Sequence, residues 1–103
     1  MAGKAVIAAI IAENTFTDWI MPKFSLYEGE KGTHFLNISI SGTWVGSVTL
    51  QRRFSSSDTP RDVEIFTENA EEALYDHESG VEYRLGINLG AFVSGICNVR
   101  LGA

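Results

Sequence analysis

From residue 35 onward the chain alternates. Leu36, Ile38 and Ile40 are separated by Asn37, Ser39 and Ser41; Val48 and Leu50 are flanked by Ser47, Thr49 and Gln51. Val81, Tyr83, Leu85, Ile87 and Leu89 are interleaved with Glu82, Arg84, Gly86 and Asn88. Side chains on a strand point to opposite faces in turn, so a period of two predicts antiparallel strands with one buried face each. Residues 5–12 (AVIAAIIA) are apolar throughout, and a run this short with Ile and Val suits a strand better than a helix. Further strands are predicted at 34–41, broken by Gly42; at 44–54, with a bulge at Gly46; and at 62–66, 81–89 and 96–101. Phe24, Leu26 and Tyr27 form a short run that ends in a turn over 28–32. Residues 67–80 read as the longest irregular stretch, with one helical turn around 71–75. Seven or eight short strands punctuated by Gly predict an all-β fold. The expected form is an antiparallel two-sheet β-sandwich, immunoglobulin-like or jelly-roll-like, with a small barrel as runner-up. Trp44 and Tyr83 read as its buried anchors.

Length and composition narrow the class. With 103 residues and 45% apolar content, the chain is expected to be a single β domain over 1–103 with a core of its own. Residues 1–12 have two readings: the first core strand, or an arm held by a partner, because a block without a polar face makes an apolar patch in water. Val6, Ile7, Ile10 and Ile11 are therefore candidate partner-binding residues. Lys4 before this block gives it the outline of a secretory signal, but it is read here as part of the domain. No stretch approaches the ~20 apolar residues of a membrane helix. A net charge of −5 argues against a nucleic-acid binder, which needs basic groups on the phosphates. The one cysteine, Cys97, excludes an internal disulfide and a multi-cysteine zinc site; it reads as a small core residue in a chain folded in a reducing compartment.

Candidate chemistry is sparse. His34 and His77 lack metal-ligand spacing, and no serine lies in a nucleophile-elbow or SxxK motif. No catalytic residue, cofactor or metal is expected, and the chain is read as non-enzymatic. Arg52 and Arg53 are adjacent on a strand and so face opposite sides, each a candidate for a partner contact. Residues 62–82 hold eight carboxylates and no Lys or Arg. Without a DxDxDG loop, this segment reads as a solvated acidic loop ahead of a partner-facing patch or a calcium site. Ser56 and Asp58 in SSDTPRDV match part of the SxDxGxTW hairpin of sialidase-type propellers. Pro60 and Val63 depart from it, and an Asx-type turn accounts for the residues present. Trp19 and Trp44 could stack on a sugar, although strand aromatics are more often core.

SGTWVGSVTLQRRF, followed by DVEIFTEN, GVEYRLGI and SGICNVRL, resembles a family of small proteins encoded by tailed bacteriophages. The resemblance runs from about Ser39 to Leu101 and rests on Gly42, Trp44, Gly46, Val48, Leu50, Gln51, Arg52, Asn69, Tyr83, Arg84, Ser94, Gly95 and Arg100. Where that family carries Asp-Gly-Gly and a tryptophan after the arginine, this chain has Ser56-Ser57-Asp58-Thr59-Pro60 and Val63. The resemblance implies a virion structural protein, with a capsid decoration or cement protein as the best match to a small β module. Its partners would be the major capsid protein or other virion proteins, with self-association on the particle. It would be made in the host cytoplasm and sit on the capsid exterior, binding neither nucleic acid nor membrane. The alternatives are a neck, tail or fibre docking module, or a carbohydrate-binding β-sandwich.

Overall fold

The computed structural model describes residues 4–25 and 33–103. Leu26, Tyr27 and the turn expected over 28–32 lie outside them. The described residues form nine strands and no helix: β1 (Ala5–Ile10), β2 (Thr15–Phe16), β3 (Lys23–Ser25), β4 (Thr33–Gly46), β5 (Val48–Arg53), β6 (Arg61–Phe66), β7 (Ala70–Asp76), β8 (Glu82–Ile87) and β9 (Phe92–Gly102).

Every pairing is antiparallel, and four of them nest. β1 pairs with β9, β2 with β8, β4 with β7 and β5 with β6, so the outermost pair joins Ala5 to Gly102 and the innermost joins Arg52 to Arg61. The chain is thus one long hairpin whose tip is the turn after Arg53. That hairpin folds over on itself, and the β4–β9 and β5–β8 ladders seal it into two sheets. One runs β1-β9-β4-β7, with β3 beside the start of β4; the other runs β2-β8-β5-β6. One of the sheets is curled into a half-barrel. This nested order is that of a jelly roll. The immunoglobulin-like alternative is set aside, because its sheets join strands in a different order.

The core lies between the sheets. Leu36, Ile38, Ile40, Cys97, Val99 and Leu101 enter it from the larger sheet, and Val48, Leu50, Tyr83, Leu85 and Ile87 from the smaller. These are the period-two positions of each strand, as one-sided burial requires. Together they fix the register, since a slip of one residue would turn every core side chain to water.

Three local expectations are corrected. Strand β4 does not break at Gly42 but runs on to Gly46. Gly42 takes φ 102°, and a Cβ there would lie 2.5 Å from the Ile96 carbonyl oxygen, so glycine keeps the ladder to β9 intact. The bulge expected at Gly46 is there, as a register shift between Val45 and Gly46. Residues 71–75 are not a helical turn but part of strand β7. Its inward positions are Ala70, Glu72, Leu74 and Asp76, and two carboxylates on that face hide the period-two signal. Trp44 is half-buried at the rim rather than a core anchor, and its Nε1 donates to Asn69 Oδ1 at 2.7 Å.

Candidate functional site

Polar chemistry gathers in two places, one between the sheets and one on the outer face of the smaller sheet. Between the sheets, Arg52, Asp76 and Tyr83 meet at one end of the core. The Tyr83 hydroxyl donates to Asp76 Oδ2 at 2.5 Å, and Arg52 reaches the same oxygen through Nε at 3.1 Å and Nη2 at 3.0 Å. Arg52 Nε also donates to the Tyr83 oxygen at 3.1 Å, and the Glu78 amide donates to Asp76 Oδ1 at 2.9 Å. Burial works against the Asp76 charge, but Tyr83, the Glu78 amide and Arg52 outweigh it and hold the carboxyl below its ordinary range. Burial and the Asp76 charge push the Tyr83 hydroxyl up to about 12. Each member sits on a different strand, β5, β7 or β8, so the cluster clasps the two sheets together. Its hydrogen bonds point at one another, which suits a structural network better than a reactive one.

On the outer face of the smaller sheet, Gly86 sets the arrangement. A Cβ there would meet the Thr15 carbonyl oxygen at 2.2 Å and Phe16 Cδ2 at 2.6 Å, so only glycine lets the Phe16 ring lie across the strand. The Arg84 guanidinium stacks over Phe16 at 4.1 Å and Trp19 at 4.7 Å, and Arg53 stacks over Trp19 at 4.0 Å. Arg53 also pairs with Glu82 at 2.8 Å. Arg84 Nε donates to Gln51 Oε1 at 2.8 Å, and Gln51 Nε2 passes the chain to Asp62 Oδ1 at 2.9 Å. Burial, with the neighbouring Arg53 charge, lowers the Arg84 pKa. Trp19 is thus sheathed by guanidinium groups rather than presented as a bare stacking surface.

The remaining candidates resolve simply. In the turn between β5 and β6, Asp58 Oδ2 accepts the Phe54 amide at 2.9 Å and Arg61 Nη1 at 2.7 Å, so this aspartate closes the hairpin tip. The Phe54 amide, then Arg61, lowers the Asp58 pKa. The acidic segment holds no group of three potential metal ligands among the described residues. Glu64 and Glu72 face one another where the two sheets meet, and burial, then the Glu72 charge, raises the Glu64 pKa. Cys97 is fully buried, which pushes its thiol up to about 11. The His34 ring packs against Phe24 at a tilt of 58°, with centroids 5.2 Å apart, and contacts the Asp76 carbonyl oxygen at 3.3 Å.

The residues expected to bind a partner are distributed, not clustered. Ile10 is fully buried and Val6 half-buried, so both serve the core; Ile7 and Ile11 are 74% and 67% exposed. Arg52 and Arg53 lie on the other sheet, one turned in and one turned out, as adjacent strand residues must. Strand β1 pairs with β9 alone among the described residues. The Ala103 amide donates to the Lys4 carbonyl at 2.7 Å, which sets the phase of that ladder. By alternation, the backbone groups of Val6, Ala8 and Ile10 face β9, and those of Ala5, Ile7 and Ala9 face outward. Beside this edge, Ile7, Ala9, Ser39, Ser41, Asn98 and Arg100 line a shallow groove of about 280 Å³ on the outer face of the larger sheet. A comparison with protein-family models, curated proteins and solved structures finds no match to the chain.

Proposed function

We propose that the protein is a non-enzymatic virion structural module, a capsid decoration or cement protein that docks through the edge and outer face of its larger sheet. The observation that supports this reading is the β1 edge. It offers outward backbone groups, with Ile7 and Ile11 exposed and Ile96 alongside at 53% exposure. An uncharged apolar strand edge left in water templates further pairing, and proteins ordinarily cover or blunt it. At about 25 cal/mol per Å², covering two or three such side chains supplies a few kcal/mol per copy, which repetition over a shell multiplies. The polar clusters support assembly over catalysis, because their hydrogen bonds are made within the fold, one clasping the two sheets and the other lying along the smaller sheet.

The virion location, the capsid exterior and the major capsid protein as partner come from the resemblance of residues 39–101. The jelly roll is compatible with it, being a fold that capsid and lectin domains both use. The carbohydrate-binding alternative is weakened by the guanidinium groups over Trp19 and Phe16, which occupy the rings a sugar would stack on. The test is a mass-spectrometric inventory of density-purified particles from cells that make this protein. The chain should band with the particles in many copies; particles that lack it while it stays in the free fraction refute the reading.

A further inference from the structure

We propose that two copies of this chain join edge to edge, β1 against β1, antiparallel and centred on Ala8, so that their larger sheets run on as one. The inference rests on reading β1 as an assembly edge, and it names the occupant of that edge. Three observations select a second copy.

The first is that no strand pairs with the outer edge of β1 among the described residues. Residues Ala5–Ile10 contain no Lys, Glu or Pro, and their register with β9 runs through six consecutive pairs without a bulge. Those are the devices by which sheet proteins keep an edge from pairing, and none is present.

The second is steric. The outward backbone groups belong to Ala5, Ile7 and Ala9, so a partner strand must match them with outward groups of its own. A two-fold axis at Ala8 does this, placing Ile7 of one copy opposite Ala9 of the other. Continued past the strand end, it sets Ile11 opposite Ala5. On the outer face each large side chain then meets a small one, and on the inner face Val6 meets Ile10. Shifting the axis by one position in either direction keeps the hydrogen-bond phase only by aligning isoleucine with isoleucine or alanine with alanine, and shortens the overlap.

The third is charge. Along the chain the nearest charged residues are Lys4 before the strand and Glu13 after it, both exposed, while Arg100 stands opposite Ile7 on β9, the side away from the proposed partner. Antiparallel pairing brings the Lys4 end of each copy to the Glu13 end of the other, whereas parallel pairing sets like beside like. One Glu13 oxygen already accepts the Gly90 amide; the other is left for this contact. The two-fold contact is isologous and closed, so it consumes both edges and stops at two copies.

Sedimentation velocity on the purified chain, from roughly 1 µM to 1 mM, tests the proposal. The expected species is a dimer of the 11.3 kDa chain. Ile7→Lys, a substitution at a largely exposed side chain, should raise the dissociation constant at least tenfold while the melting temperature of the fold holds. Ile7→Glu and Ala9→Lys should each sediment as monomers, and their equimolar mixture should form a heterodimer, since position 7 faces position 9 of the other copy. A wild-type chain that stays monomeric throughout overturns the proposal. So does a dimer indifferent to Ile7→Lys, or a mixture that fails to associate. If Ile7→Lys unfolds, Ala9→Lys alone carries the edge test. A dimer in solution from a chain absent from particles would sink the virion reading and leave this one standing. A monomer that Ile7→Lys nevertheless releases from particles would do the reverse.

Discussion

Replacing Tyr83 with Phe removes one oxygen and leaves the packing of the ring in place. Tyr83 is 2% exposed, its hydroxyl donates to Asp76 at 2.5 Å, and it accepts from Arg52 at 3.1 Å. A hydrogen bond to an ionised partner contributes about 1.5–3 kcal/mol, and Asp76 keeps Arg52 and the Glu78 amide, so the loss should be about 2 kcal/mol at neutral pH. An unfolding entropy of roughly 2.1 cal/mol/K per residue over a chain of this length converts that to a fall of about 9 °C in Tm. The pH dependence is the sharper check. Asp76 has its folded pKa depressed, so its stabilisation is present above the unfolded value near ~4 and is lost as pH falls through the folded value. Tyr83 is raised to about 12, so above pH ~10 the unfolded chain ionises first and the contribution of the hydroxyl is lost on the alkaline side. The gap between wild type and Tyr83→Phe should therefore be widest between about pH 5 and 9 and narrow at both ends. Urea titrations followed by tryptophan fluorescence across that range measure it, and in an Asp76→Asn background the gap should shrink by at least half. A gap below about 0.5 kcal/mol at pH 7, or one independent of pH, would show that the clasp contributes nothing as drawn.

Three further outcomes follow from the geometry. Gly86→Ala should cost about 1–3 kcal/mol and loosen β2, because the new methyl collides with Thr15 backbone and the Phe16 ring; hydrogen exchange at Thr17 and Leu85 reports it, and unchanged protection would contradict the close approach. Glu64→Gln should stabilise the fold by up to about 1 kcal/mol at pH 7, since the raised carboxyl is penalised only while ionised; the advantage should vanish as pH falls through its folded pKa, and an advantage that persists in acid would be wrong. Cys97 should resist a thiol reagent at pH 8 until denaturant is added, and prompt labelling of the native chain would place it outside the core.

How much of this was legible beforehand depends on which face a residue occupies. The strands around Leu36–Ile40, Val48–Leu50 and Tyr83–Ile87 were readable because their inward positions are uniformly apolar. Strand β7 was not, because Glu72 and Asp76 stand at inward positions, and Asp76 is held there by Tyr83 and Arg52 of the other sheet together with the Glu78 amide. The nested jelly-roll order was likewise beyond a local pattern, since pairing Ala5 with Gly102 is a decision made by the whole chain. The outer face of the smaller sheet had one local clue, a glycine at position 86 within an otherwise regular strand, and that clue announces close approach without naming Phe16 as the neighbour. Ile7 and Ile10 illustrate the same limit. Both are apolar in an apolar run, and only the register with β9 separates the core residue from the exposed one.

The β1–β9 ladder also sets a timetable. Ile10 pairs with Cys97, so the first strand made cannot be paired by its own sheet until the last has been synthesised. At about 5–20 residues per second, the strand waits roughly 5–20 s with both of its edges open. For that interval an uncharged apolar segment is the most adhesive part of the nascent chain, and a neighbouring nascent copy offers the same segment in the same state. A cell that makes many copies at once therefore has to finish β9 faster than its chains meet, or shield β1 until it does.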